Sequence, residues 1–330
     1  MADRFVTTRS GLTFAALLVW LTAAPVSAQP QTSVANPEGT ASSWTPGRTA
    51  WGDMDLQGTW TNFALGDVGT SLEAPPPPGI RPARMLGGTG SCVPSDAPLP
   101  ERGRGAGTGP PSGWFETTRD AADTQPGRVA LIVEPTDGRL PPLTPWGDQR
   151  LDDICTKIFD SYVYLDPWVR CITRGVPASL FPSAYNNAYR IAQIPGYVVI
   201  QYEMIHDVRV IPMDGRPPIA SDIRLWMGSP RGRWEGNTLV IETTNFTDKS
   251  AIRGHAHRDV LNVVERFTRV DADTLEYEVT VNDPMTWTAP WKAAITLARD
   301  DDYQMLEYAC HEGGSTAIEN ILGGARFEER

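Results

Sequence analysis

From Tyr185 to the C-terminus the sequence is a succession of short stretches rich in β-branched and aromatic residues, divided by tight-turn signals, and no other feature restricts the fold as much. Strands are expected at 188–194, 197–204, 208–213, Leu225, 238–244, 261–270, 274–281, 291–298 and 304–310, with Pro195-Gly196 and Asp214-Gly215 turning the chain between them. Leu275, Tyr277, Val279 and Val281 alternate with Glu276, Glu278 and Thr280, the pattern of a strand with one buried face. Such strands predict an antiparallel meander closed into a β-barrel, because closure removes the exposed edges through which sheets aggregate. The 30 Gly and 29 Pro agree with a turn-rich β protein and argue against long helices.

Upstream the signals change. Residues 29–50 are polar and read as a disordered lead-in, and a first strand is expected at 55–61. Residues 66–127 carry Pro and Gly clusters without strand or helix periodicity, so 51–127 is taken as a first strand followed by a loop-rich arm. The barrel domain is placed at 128–330. Within it Thr144 caps a helix with Pro145 at its first position, running to about Tyr162, with Leu151, Ile154, Ile158 and Tyr162 on one apolar face. A second short helix is expected around 114–120. Pro135-Thr136-Asp137-Gly138-Arg139 is echoed by Pro212-Met213-Asp214-Gly215-Arg216, two turns suited to strand ends.

The N-terminus combines Arg4 and Arg9, an apolar run over 12–22 and the small-residue site Val26-Ser27-Ala28, which reads as a secretory signal peptide over 1–28 cleaved near Ala28. The run is about half of the roughly 20 residues a membrane span requires, so the expected product is periplasmic or secreted, with no integral membrane span. Export makes the four cysteines candidates for disulfides. Three connectivities exist. Cys171 sits beside a strand entry and Cys310 at the end of an expected strand, so Cys171 with Cys310 is the preferred pair, leaving Cys92 with Cys155. The absence of any C-x-x-C argues against zinc or thioredoxin-type chemistry. A net charge of −11, with Lys157, Lys249 and Lys292 the only lysines, excludes nucleic acid as a partner.

Gly58-Thr59-Trp60 is similar to the G-x-W of lipocalins, in which the Trp plugs one end of an eight-stranded barrel. The stretches Tyr185-Asn186-Asn187, Arg231-Gly232-Arg233-Trp234-Glu235-Gly236-Asn237-Thr238-Leu239-Val240 and Tyr308-Ala309-Cys310-His311-Glu312-Gly313 resemble an abundant, functionally uncharacterised family of exported proteins of Gram-negative soil bacteria, over roughly 128–325. Asn237 and Gly314 stand where that pattern has Asp and Asn. The resemblance implies an exported β-rich domain, lipocalin-like in fold, and brings no activity with it.

Several residues are candidates for chemistry. Strand parity along 197–211 puts Val198, Ile200, Tyr202, Met204, His206, Val208 and Val210 on an apolar face, with Glu203, Asp207 and Arg209 on the other, so His206 is expected to point into the barrel unless a bulge breaks the period. His311 follows Cys310, and the preferred disulfide would carry it toward Arg170 and the 185–187 segment, at one barrel mouth. An imidazole there could take a proton, with Glu203 or Glu312 orienting it and Tyr185 or Asn187 donating to an oxyanion. Tyr202, Arg209, Trp226, Trp234 and Trp287 complete the candidate ligand contacts, Trp supplying large area whether as core or as stacking platform. Arg209, Arg216, Arg231 and Arg233, near Asp207, Asp214 and Glu235, are expected to form structural ion pairs, or to grip a carboxylate. His255, His257 and Asp259 read as a solvated loop rather than a metal set, and no metal or cofactor is expected. No nucleophile elbow, H-E-x-x-H, dinucleotide or P-loop signature occurs. The leading function is binding of a small, partly apolar ligand; the others are a periplasmic acid/base enzyme (lyase, isomerase or hydrolase) using His206 and His311, and a structural envelope protein.

Overall fold

The computed structural model describes residues 44–62, 72–74, 84–86, 92–94, 130–157, 160–183, 185–252, 255–312, 318, 319 and 323. The expected signal peptide, most of the lead-in, the helix at 114–120 and most of the arm lie outside the described residues. The strands are β1 Gly58–Thr61, β2 Arg84–Leu86, β3 Cys92–Pro94, β4 Ile132–Glu134, β5 Ala188–Ile194, β6 Tyr197–Tyr202, β7 Val208–Pro212, β8 Ser229–Glu235, β9 Thr238–Thr244, β10 Ala251–Ile252, β11 His255–Ala256, β12 Asn262–Arg269, β13 Thr274–Asn282 and β14 Trp291–Arg299. The helix α1 spans Pro145–Lys157. Its start is the expected one: Gly147 N–H donates to Thr144 Oγ1 at 3.1 Å. Its described part stops at Lys157 rather than near Tyr162, and Tyr162–Tyr164 is a separate 3-10 turn.

Nine strands follow one another around the sheet in chain order, β1, β5, β6, β7 and then β8, β9, β12, β13, β14, with β14 returning to pair with β1. Neighbours pair antiparallel, so the molecule is an up-and-down, lipocalin-like barrel. β1 covers only Ala298 and Arg299 of β14, and β4 fills more of that edge by pairing with Lys292 and Ala293. The ladder is interrupted between β7 and β8, where the strands pack without pairing. Gly232 makes this approach feasible: a Cβ there would sit 2.3 Å from Met213 Sδ and 2.9 Å from Ile211 Cγ2. Arg231 spans the same seam, its Nε–H donating to the carbonyls of Arg216 and Pro217. The two Asp-Gly turns share one geometry, with φ of 71° at Gly138 and 73° at Gly215 and an Asp side chain accepting from the N–H two residues on.

The interior is filled by side chains. Trp60, Ile200, Tyr202, Ile241, Phe267 and Tyr277 are all at most 1% exposed, and alternate residues of β13 and β14 complete the packing. At the Gly58 end Trp60 donates through Nε1 to Leu56 O at 2.9 Å and carries the Arg269 guanidinium over its ring at 5.5 Å. The opposite end is covered by the segment 165–183, whose Leu165, Val176, Leu180 and Phe181 are buried. Among the described residues no helix is long and apolar enough to cross a membrane.

Three expectations are corrected. Residues 203–206 form a tight turn rather than extended strand, with Ile205 at φ 62° and His206 at φ 47°. The turn reverses the parity of everything after it: Val208 and Val210 are 54% and 53% exposed, Arg209 is buried, and His206 faces solvent. The segment 304–310 is not a strand, and Leu225 makes only an isolated bridge to Phe246. β10 (Ala251–Ile252) and β11 (His255–Ala256) pair antiparallel where a loop was expected, and His257 after them is 1% exposed.

Candidate functional site

After β14 the chain runs back as an extended strap, and its fastening defines the site. Asp300 N–H donates to Thr59 O, and Asp301 Oδ1 accepts from Thr59 N. Glu203, 1% exposed in the turn after β6, then holds the strap: it accepts from Tyr303 OH at 3.0 Å and from Leu306 N–H at 2.7 Å, while Ala188 N–H reaches its other oxygen at 3.3 Å. These charge-assisted bonds spend the carboxylate on anchoring. Cys310 closes the strap by a disulfide to Cys171 with Cα atoms 5.6 Å apart, as expected from the sequence. Cys155 is disulfide-bonded too, and the side chain of Cys92, its expected partner, lies outside the described residues.

The strap brings Tyr308 against the segment that covers the barrel end. Its ring stacks on Tyr185 with centroids 6.2 Å apart and planes within 5°, its hydroxyl lies 3.4 Å from that of Tyr185, and Trp168 Nε1–H donates to it at 3.2 Å. Beneath lies Arg174, 8% exposed, with its Cζ 4.9 Å from the centroid of the Trp168 ring. Its backbone N–H is bonded to Asp207, whose carboxylate also accepts from Thr173 Oγ1 at 2.7 Å and is raised in pKa by burial. The Arg174 guanidinium itself has neither hydrogen bond nor ion pair within the described residues. Burial lowers its pKa, opposed by the field of Tyr189, Asp166, Tyr308 and Tyr185. Burial and the Tyr308 contact push the Tyr185 pKa up, so its hydroxyl keeps its proton at neutral pH. A buried guanidinium without a counter-anion is costly to maintain, and no residue pattern announces it, because Arg174 stands outside every strand pattern and motif.

The named candidates divide between this site and other places. Tyr185 is part of it. His206 touches its edge, Nδ1 lying 3.2 Å from Tyr308 O, but is exposed, as are His311 and Glu312 at the end of the strap. Asn187 is committed to a turn, accepting from Ser183 N–H at 2.8 Å and donating to Ser183 O at 2.7 Å. Trp226 is half-buried with the Arg170 guanidinium 5.8 Å from its ring centroid. Trp234 lies at the far end of β8, and Trp287 is core, edge-on to Trp291. Arg216 and Arg233 pair with Asp214 and Glu235, and Arg231 binds backbone carbonyls, so these three are structural.

Tyr202 and Arg209 do come together, inside the barrel. Arg209 Nη1–H donates to Tyr202 OH at 3.1 Å and to Glu265 Oε1 at 3.0 Å, Nη2–H donates to Thr243 Oγ1 at 2.9 Å, and Tyr277 OH donates to Glu265 Oε1 at 3.1 Å. Glu265 Oε2 is 2.7 Å from Nη2, an ion-pair contact without hydrogen-bond alignment. Burial pulls the Arg209 pKa down, but Glu265 outweighs it and leaves it raised; burial pushes Tyr202 up to about 12. Glu265 and Tyr277 were legible only as members of alternating strands. The network neutralises itself and is enclosed, so its role is packing. A separate cavity of about 30 Å³ beside α1, with Arg150, Ile154, Leu165 and Lys249 in its wall, has room for about one water.

No family model matches this chain, and no curated protein does. Among solved structures it is similar to a secretory abundant heat soluble (SAHS) protein from Ramazzottius varieornatus, at 11% identity, over 41% of this chain and 87% of that one, with a TM-score of 0.25.

Proposed function

We propose that this protein is an exported carrier of a small ligand, and that the ligand is recognised at the strapped end of the barrel rather than in its interior. The observation that carries the reading is Arg174, a buried cation with no ion pair among the described residues, lying in the field of the Tyr185 and Tyr308 hydroxyls. An ordinary structural arginine is neutralised where it is buried, as Arg209 is by Glu265. Export is supported by the N-terminal sequence and by the Cys171–Cys310 bond, which suits an oxidising compartment. The filled interior removes the volume in which a lipocalin-type ligand would sit, and so moves recognition to the end. The resemblance of the 231–240 and 308–313 stretches to an exported bacterial family agrees with this reading and adds no substrate. The test is native mass spectrometry of the protein purified from its own exporting cell. A stoichiometric small-molecule adduct, released by denaturation, is expected; a protein that arrives at its bare polypeptide mass contradicts the carrier role.

A further inference from the structure

We infer that the buried Arg174 marks a carboxylate-recognition site, with its guanidinium as the charged fork and the Tyr185 and Tyr308 hydroxyls as neutral donors near it. This rests on the preceding reading of the strapped end as the ligand site and names the chemical class that would fill it. The geometry supplies three arguments. First, the Arg174 guanidinium carbon lies 4.9 Å from the Trp168 ring centroid and the group makes no hydrogen bond among the described residues, so its N–H groups remain free to match a carboxylate bidentately. Second, the site is asymmetric in charge. The nearest acidic groups are already engaged, Asp207 by Thr173 Oγ1 and the Arg174 N–H, and Asp166 by the Trp168 N–H at 2.8 Å. Third, burial and the Tyr308 contact raise the Tyr185 pKa, so that hydroxyl stays protonated at neutral pH and adds a donor without adding negative charge that would repel an anion.

The low exposure of Arg174 and the stacked tyrosines restrict what could bind. Arg174 is 8% exposed, so a bulky anion cannot reach it, and the parallel Tyr185 and Tyr308 rings offer an apolar wall to a flat body behind the acid group. A small planar monocarboxylate fits these demands. The Cys171–Cys310 bond holds Tyr308 in place, three and two residues from the ends of that bond's own segments, Arg174 and Tyr308 respectively, so ligand donors from both ends of the domain are fixed by one cross-link.

The probe is benzoate, with benzamide as its neutral isostere, titrated into the full oxidised chain by calorimetry and tryptophan fluorescence. Benzoate is expected to bind at least tenfold tighter than benzamide. Arg174→Gln should lower benzoate affinity at least tenfold, Arg174→Lys should recover only part of it because the fork is lost, and Tyr185→Phe should weaken it severalfold. Circular dichroism checks folding; should Arg174→Gln fail to fold, Tyr185→Phe and Tyr308→Phe, which remove only hydroxyls, carry the test. Benzamide binding as tightly as benzoate, with both Tyr→Phe variants still weakening it, overturns the carboxylate class while leaving the strapped end as the site. Benzoate binding that is unchanged in every variant overturns the location as well. No benzoate response overturns the carboxylate class.

Discussion

Arginine is the residue whose surroundings separate function from architecture in this protein. Arg209 and Glu265 are 3% and 0% exposed and neutralise each other as an ion pair, hydrogen-bonded also to Tyr202, Thr243 and Tyr277. Removing one member strands a buried charge, so Arg209→Met is expected to cost about 3–5 kcal/mol in urea unfolding. Arg209→Met combined with Glu265→Leu should cost less than either single change, a coupling that equilibrium denaturation measures directly. His257 gives a pH signature of its own. Burial lowers its pKa from 6.5, opposed by the Arg258 carbonyl, Asp283 and Asp248, so the folded state holds it neutral while the unfolded state protonates it. The stability this contributes is fully present above about pH 6.5 and is lost as pH falls toward the lowered folded value. His257→Phe should remove that component of the acid-side decline in thermal melts between pH 7 and 5; an unchanged slope would show that His257 is not its source.

At the scale of elements, the sequence revealed strands wherever β-branched residues alternate. The bounds of β5 and β9 match the expected segments, and β12, β13 and β14 differ by a residue at their ends. β8 escaped because Ser229-Pro230-Arg231-Gly232-Arg233 has no β-branched residue; its strand is imposed by pairing with β9 and by the close approach to β7. Parity failed after Tyr202 because Ile205 and His206 adopt positive φ, which no residue type there announces. The strap was mistaken for a strand because Tyr308 and its neighbours look strand-like, whereas its backbone and side chains are spent on Glu203 and the disulfide. The Cys171–Cys310 bond closes a separation of 139 residues, worth up to about 5 kcal/mol in the chain-entropy account. Replacing both cysteines by Ala should lower stability by a few kcal/mol in denaturant titrations under oxidising conditions, and raise the amide exchange of 303–310 first, since only the non-covalent contacts of Glu203, Trp168 and Tyr185 then hold that part of the strap.

The whole molecule is a barrel whose interior holds buried side chains and whose strapped end is where the proposed ligand recognition lies. Chain-order strands returning from β14 to β1 make the closure legible from sequence, and the alternating strands identify most of the core. The site was legible only in part: Tyr185 and the cysteine pair were named, but Arg174 and Trp168 sit in an irregular segment whose position is decided by the cross-link and the strap, not by any local period. On the proposed reading the strapped end, not the interior, holds the ligand. Native mass spectrometry of three forms expressed and exported in the same cell tests it most directly: the natural chain, Arg174→Gln, and the interior double variant Arg209→Met/Glu265→Leu. A small-molecule adduct on the natural chain and the interior variant but absent from Arg174→Gln is the predicted result; an adduct retained by Arg174→Gln and lost from the interior variant would contradict it.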